Sequence, residues 1–119
     1  KVMNELWSKI KFNKINMKNA VDQSNSTATD LANWFVKELN LTFREAYQLT
    51  GKIVAYSNNN GKLLKDLSLN ELKVFNKNIS ASAKKILSSA ESIKNKTSFG
   101  GTSPQNTKKT IQYAIRKYL

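Results

Sequence analysis

Neither cysteine nor histidine occurs in the 119 residues. Together these absences remove disulfides, thiolate nucleophiles, zinc sites built on those ligands and imidazole acid–base chemistry. Proton transfer or nucleophilic attack is left to hydroxyls, lysines and eight carboxylates, which do such work only where a fold perturbs their pKa values. Proline occurs once and glycine four times, so few positions interrupt a helix. No run approaches the roughly eighteen consecutive apolar residues of a membrane span, and no basic-then-apolar leader opens the chain. A soluble, cytoplasmic protein without a membrane partner is expected. The first residue is Lys1, and Val2 to Ile10 reads as the tail of a helix already under way, so the sequence is expected to be a piece of a longer one. Its length suits one small domain, able to bury about 65% of the surface of its unfolded chain.

What is abundant is positive charge: 20 lysines and arginines against 8 acids, a net charge of +12 and a pI near 10.0. Clustered cations gain affinity for phosphates by releasing counterions, so nucleic acid has to be weighed as a partner. Arg44 and Arg116 are the only arginines, however, and the lysines are scattered from Lys9 to Lys117, whereas base-reading proteins lean on bidentate Arg. Lysine and asparagine are enriched together, including the run Asn58 to Asn60. The pattern favours a solvated surface, and a small basic nucleic-acid-binding module is kept as the alternative.

The chain divides into helices, with no period-two alternation of β-branched residues. Four Ser or Thr residues are followed three positions later by an acid: Thr27 with Asp30, Thr42 with Glu45, Ser68 with Glu71 and Ser88 with Glu91. That spacing marks a helix start, because the hydroxyl caps one backbone N–H and the acid accepts another. Apolar spacing predicts a helix over Ala28 to Leu39 and a second over Phe43 to about Asn59, with Phe43, Ala46, Tyr47, Thr50, Ile53 and Val54 inward and Gly61 as its stop. The three residues between them require a helical hairpin. A shorter helix is predicted over Lys65 to Lys77. A stretch from Ile79 to Ile93 is divided near Ser88 and Ser89, and a last helix is capped by Ser103 and opened by Pro104, with Thr107, Ile111, Ala114, Ile115 and Tyr118 inward. Upstream, Val2, Leu6 and Ile10 form one stripe and Asn13 caps a short helix containing Met17, Ala20 and Val21. Gln23, Ser24 and Asn25 read as a connector, so a boundary is placed between residues 1–25 and 26–119.

Site signatures are sparse. Gly51-Lys52 and Gly61-Lys62 lack the upstream glycine of a phosphate loop, and Gly100-Gly101 lacks a dinucleotide-binding pattern. The sequons at Asn25, Asn40, Asn78 and Asn95 arise readily in a chain this rich in Asn, Ser and Thr. Phe99 to Pro104 is the most specific local motif. It could offer free N–H groups to an anion, but a sharp turn that seats the last helix is the better account. Trp34, Tyr47, Tyr56 and Tyr113 stand beside Leu and Ile at helical spacing, which favours a core role over base stacking.

Read together, STATDLANWFV (Ser26 to Val36), LTFREAYQLTGKIV (Leu41 to Val54), LSLNEL (Leu67 to Leu72) and SFGGTSP (Ser98 to Pro104) resemble, in order and spacing, the C-terminal domain of argininosuccinate lyases, and KFNKINMKNA (Lys11 to Ala20) is similar to the stretch before it. The resemblance implies an all-α fold, a small domain of stacked helical hairpins preceded by the end of a long central-domain helix. It further implies a homotetramer, similar to fumarase and aspartase, that needs no cofactor and splits argininosuccinate into arginine and fumarate. In that reaction a base removes a proton beside a carboxylate, positioned donors hold the carbanion, and a C–N bond breaks. The family's base is a serine on a Gly-Ser-Ser-x-Met-Pro loop with a histidine nearby. This chain has neither, since Met3 and Met17 fall in predicted helices and Pro104 is its one proline. Hence no catalytic, cofactor-binding or metal residue is assigned, the chain alone is expected to be inactive, and the implied role is support and gating beside an active-site entrance. The exposed Leu6, Trp7 and Ile10 are expected to seek a partner.

Overall fold

A computed structural model describes residues 2–119, and among these residues every regular element is a helix. In chain order they are α1 (Val2–Lys9), α2 (Lys14–Gln23), α3 (Ala28–Leu39), α4 (Phe43–Asn59), a 3₁₀ turn (Leu64–Asp66), α5 (Leu69–Phe75), α6 (Ala81–Ile86), α7 (Ser89–Lys94) and α8 (Pro104–Tyr118). The bounds predicted for α3 and α4 hold. The third predicted helix starts later, at Leu69, because Ser68 rather than a residue near Lys65 supplies its cap.

The α3–α4 hairpin is the centre of the molecule. Asn40 closes α3 in the left-handed region at φ 53°, a conformation that a short polar side chain tolerates. Thr42 then opens α4 with a full capping box: its hydroxyl accepts from the Glu45 N–H at 3.3 Å, and Glu45 accepts from the Thr42 N–H at 2.9 Å. Ser68 and Glu71 repeat that device at α5. Gly61, at φ 61°, follows the last turn of α4. Against the hairpin pack the 3₁₀ turn, α5 and α6, so that Leu31, Phe35, Ile53, Leu67 and Leu72 are completely buried, with Trp34, Ile79, Ala83 and Leu87 beside them.

Two expected caps are absent. Neither Thr27 nor Ser88 caps its helix through its side chain; Asp30 is drawn away to Ser92 and Lys96, and Glu91 pairs with Lys94. Two expected faces also differ. On α4 the buried line is Ala46, Thr50, Ile53 and Ser57, while Phe43 and Tyr47 stand at its edge, 63% and 68% exposed. On α8 the inward stripe has nothing to meet: Ile111, Ile115 and Tyr118 are all at least half exposed and no α8 residue is buried. The α2 stripe faces water in the same way, with Met17 and Val21 exposed.

These free elements make the molecule long, 55 × 29 × 22 Å. The radius of gyration is 18.2 Å, against about 13–14 Å for a compact chain of this length. A core of α3–α6 therefore carries two projecting parts, the α1–α2 arm and α8.

Candidate functional site

The most specific motif of the sequence becomes a latch between α7 and α8. Within it the Gly101 N–H donates to the Ser98 carbonyl at 2.8 Å and the Ser103 N–H to the Lys96 carbonyl at 3.1 Å. A Cβ on Gly101 would lie 2.2 Å from the Lys96 carbonyl oxygen, so only glycine lets the strands of the loop approach. From the first turn of α8, Asn106 donates through Nδ2 to the carbonyls of Thr97 at 3.1 Å and Ser98 at 2.8 Å. The buried Ser103 hydroxyl accepts from the Asn106 N–H at 3.3 Å. With these donors turned inward, the loop acts as the turn that seats α8, and Phe99 is left fully exposed at its tip.

Behind this loop lies an open groove of about 480 Å³ between α3 and α7, lined by Asp30, Asn33, Lys37, Asn95 and Lys96 over the ring of Trp34. The Trp34 Nε1–H donates to the Ser82 hydroxyl at 3.1 Å. Asp30 accepts from the Ser92 hydroxyl at 2.5 Å and is ion-paired with Lys96. The only carboxylate in the groove is thus already hydrogen-bonded and paired, and its neighbours are amides, hydroxyls and lysines. Such a lining can bind polar groups, but it offers no free base.

A second groove, about 340 Å³, runs between α3 and α4 over the small residues Ala28, Ala32 and Gly51, with Phe43 and Tyr47 as one wall. Those two rings stack with centroids 6.4 Å apart. Thr50, in its floor, has a buried hydroxyl without a hydrogen-bond partner. Among the described residues no group of three acids could hold a metal ion.

The four aromatics singled out from the sequence do not form one platform. Trp34 is buried edge-on to Phe35 and Tyr56 packs edge-on to Phe75, both as core residues. Tyr47 and Tyr113 lie outside the core, 68% and 60% exposed, and Lys117 sits over the Tyr113 ring at 5.6 Å. Lys62, discounted as a phosphate ligand, meets Glu71 at 2.6 Å. That ammonium first, then the Ser68 N–H and hydroxyl, hold the Glu71 carboxyl at about 2. What sequence reasoning missed is the role of Asp22, which accepts from the Ser89 hydroxyl at 2.8 Å. The two residues are 67 positions apart, and no local spacing announces the pair.

Comparison with known proteins gives a family context for this geometry. A family model described as argininosuccinate lyase C-terminal matches residues 25–94. The argininosuccinate lyase of Ehrlichia canis (strain Jake) is 43% identical over 110 residues, which cover 92% of this chain and 23% of that enzyme. Argininosuccinate lyase 1 of Mesorhizobium japonicum is 40% identical over 111 residues, 93% of this chain and 24% of that enzyme. The chain therefore spans under a quarter of the length of these curated relatives.

Proposed function

Because the chain belongs to the argininosuccinate lyase family by its C-terminal region, we propose that it is the accessory domain of an enzyme that cleaves argininosuccinate into arginine and fumarate. Beyond the family match, the supporting observation is the amount of surface. The chain exposes 9309 Å², whereas a compact monomer of its 13.5 kDa mass exposes roughly 6500 Å². The excess, roughly 2800 Å² on this one chain, is well above the roughly 800 Å² that each partner gives to a standard interface and matches extensive, obligate contacts. Large apolar side chains stand exposed on both projecting parts, Val2, Trp7 and Phe12 on one and Ile111, Ile115 and Tyr118 on the other.

In this reading residues 1–25 belong to a central helical domain through which the protein assembles as a cytoplasmic homotetramer, and residues 26–119 form the C-terminal domain. The base and the histidine of the family reaction belong to polypeptide beyond these 119 residues, which contain no His. The domain's own contribution is to stand beside the active-site entrance and to shift as substrate is enclosed. No described helix is long and apolar enough to cross a membrane, and the proposal requires none.

A chimera tests the assignment. This chain would replace the matching segment of the Ehrlichia canis enzyme, and fumarate release and oligomeric state would be measured. Retained tetramers with measurable cleavage are expected, together with no cleavage by the 119-residue chain alone. A folded tetrameric chimera without activity rejects the proposed role, and turnover by the chain alone rejects the division of labour.

A further inference from the structure

The α1–α2 arm meets the rest of the molecule at a narrow joint. No α2 residue is buried, and the connector leaves the helix in an extended conformation at Ser24. Of the connector residues only Thr27 is buried. Around the joint Val21, Thr27, Leu64 and Leu87 leave a void of only about 10 Å³, at the lower limit of what holds one water, but Val21 is itself 43% exposed, so apolar packing covers only part of one α2 side chain. What bridges the joint is Asp22 in the last turn of α2. One carboxylate oxygen accepts from the Ser89 hydroxyl at 2.8 Å, and the other faces the Lys65 ammonium at 3.2 Å. These partners come from α7 and the 3₁₀ turn, two different elements of the body. The hydroxyl first and the ammonium second hold the Asp22 carboxyl below the usual carboxylate range, with Lys18 adding attraction from one turn back on α2.

A second cluster of the same composition lies next to it. Asp30 accepts from Ser92 and pairs with Lys96, and Ser89 and Ser92 stand three apart on α7, on one face of the helix. Since α7 has no buried residue, it is held to the body largely by these hydrogen bonds. The two clusters differ in what they join: the Asp30 cluster ties α7 to α3 within the body, whereas the Asp22 cluster ties the body to the arm.

We infer that Asp22 is a hinge clasp, a positioning residue whose contacts with Ser89 and Lys65 set the angle between the α1–α2 arm and the helical body. Released, the arm swings about the connector while the body keeps its core, since none of the core residues belongs to the arm. Insofar as the arm continues into a central domain, which rests on the function proposed above, the clasp sets how the body stands over that domain. The hinge itself is a property of this chain and is measurable without enzyme activity.

The absence of cysteine allows a pair of spin labels to be placed uniquely, at Lys9→Cys on α1 and Lys37→Cys on α3, and the distance distribution between them to be read in the 119-residue chain. The parent is expected to give one narrow distribution, and Asp22→Ala to broaden it roughly twofold while helical circular dichroism stays unchanged. Ser89→Ala and Lys65→Met should each give part of that broadening, and Glu91→Ala, which breaks an ion pair confined to α7, should give none. An Asp22→Ala distribution that superimposes on the parent overturns the clasp, as does a parent distribution already as broad. If Asp22→Ala loses its helical signal, the cluster is part of the folding core and the hinge is likewise rejected.

Discussion

The body and its two projecting parts are made from similar amphipathic helices, yet the apolar faces of one are closed and those of the other are open. In the body Leu31, Phe35 and Ile53 are fully buried. On α1 and α8, Leu6, Trp7, Ile111 and Ile115 are half exposed or more. The difference lies in the connections. Three residues between α3 and α4 return the second helix onto the first, so their stripes meet each other. The α1–α2 arm leaves the body through an extended connector, and α8 is seated at its first turn by the Asn106 and Ser103 hydrogen bonds and then runs free. An apolar stripe thus states that a face needs covering, and the chain path decides whether the same molecule supplies the cover.

The contrast can be broken most severely at its closed side. Replacing Phe35 by Ala should cost about 3–5 kcal/mol, a large share of the stability of a small domain, read as a lower urea midpoint of the helical signal. A loss below about 1 kcal/mol would mean that the body is not a cooperative core.

Smaller effects are expected where the backbone approaches itself. Gly101→Ala places a methyl against the Lys96 carbonyl and should destabilise by about 1–3 kcal/mol, with amide exchange rising first in α8. Gly51→Ala, in mid-helix with nothing within 4 Å of the added carbon, should stabilise by about 0.5–1 kcal/mol. Equal effects of the two in the same thermal melts would remove the distinction between the latch and the open helix face.

A pH profile sharpens the comparison further. The Glu71 carboxyl is held at about 2, below its ordinary 4.5. A depressed carboxylate stabilises the fold above its unfolded-state pKa, and the contribution is lost as pH falls. Stability should therefore decline from about pH 4.5 toward pH 2, and Glu71→Gln should flatten that part of the curve in acid unfolding. The smallest effect belongs to the open side. Ile111→Ser should change the stability of this chain by less than about 0.5 kcal/mol. A larger loss would show that α8 already has a partner in the isolated chain.

Four helix starts, those of α2, α4, α5 and α8, are legible in the sequence because they depend on neighbouring residues. Thr42 and Glu45, Ser68 and Glu71, Asn13, and Ser103 with Pro104 all act over three or four residues, and their spacing alone predicts the caps. Thr27 with Asp30 shows where this reasoning stops. The same spacing is present, but a lysine and a hydroxyl more than sixty positions away compete for the carboxylate and win. Asp22 was missed for the same reason. Phe43 and Tyr47 share the apolar stripe of α4 but stay exposed, because a helical stripe wider than its partner leaves its edge in water.

The order of amino acids was enough to determine an all-helical chain, the limits of α3 and α4, the hairpin between them, and membership in the argininosuccinate lyase family. Those properties rest on local hydrogen bonding, on the 3.6-residue period and on ordered motifs, all of which a linear string carries. Tertiary structure alone decided which acids cap and which clasp, which apolar faces are closed, and that Asp22 bridges the arm to the body. These outcomes depend on groups brought together from distant positions, where competing partners are compared in space and the nearest well-placed donor prevails.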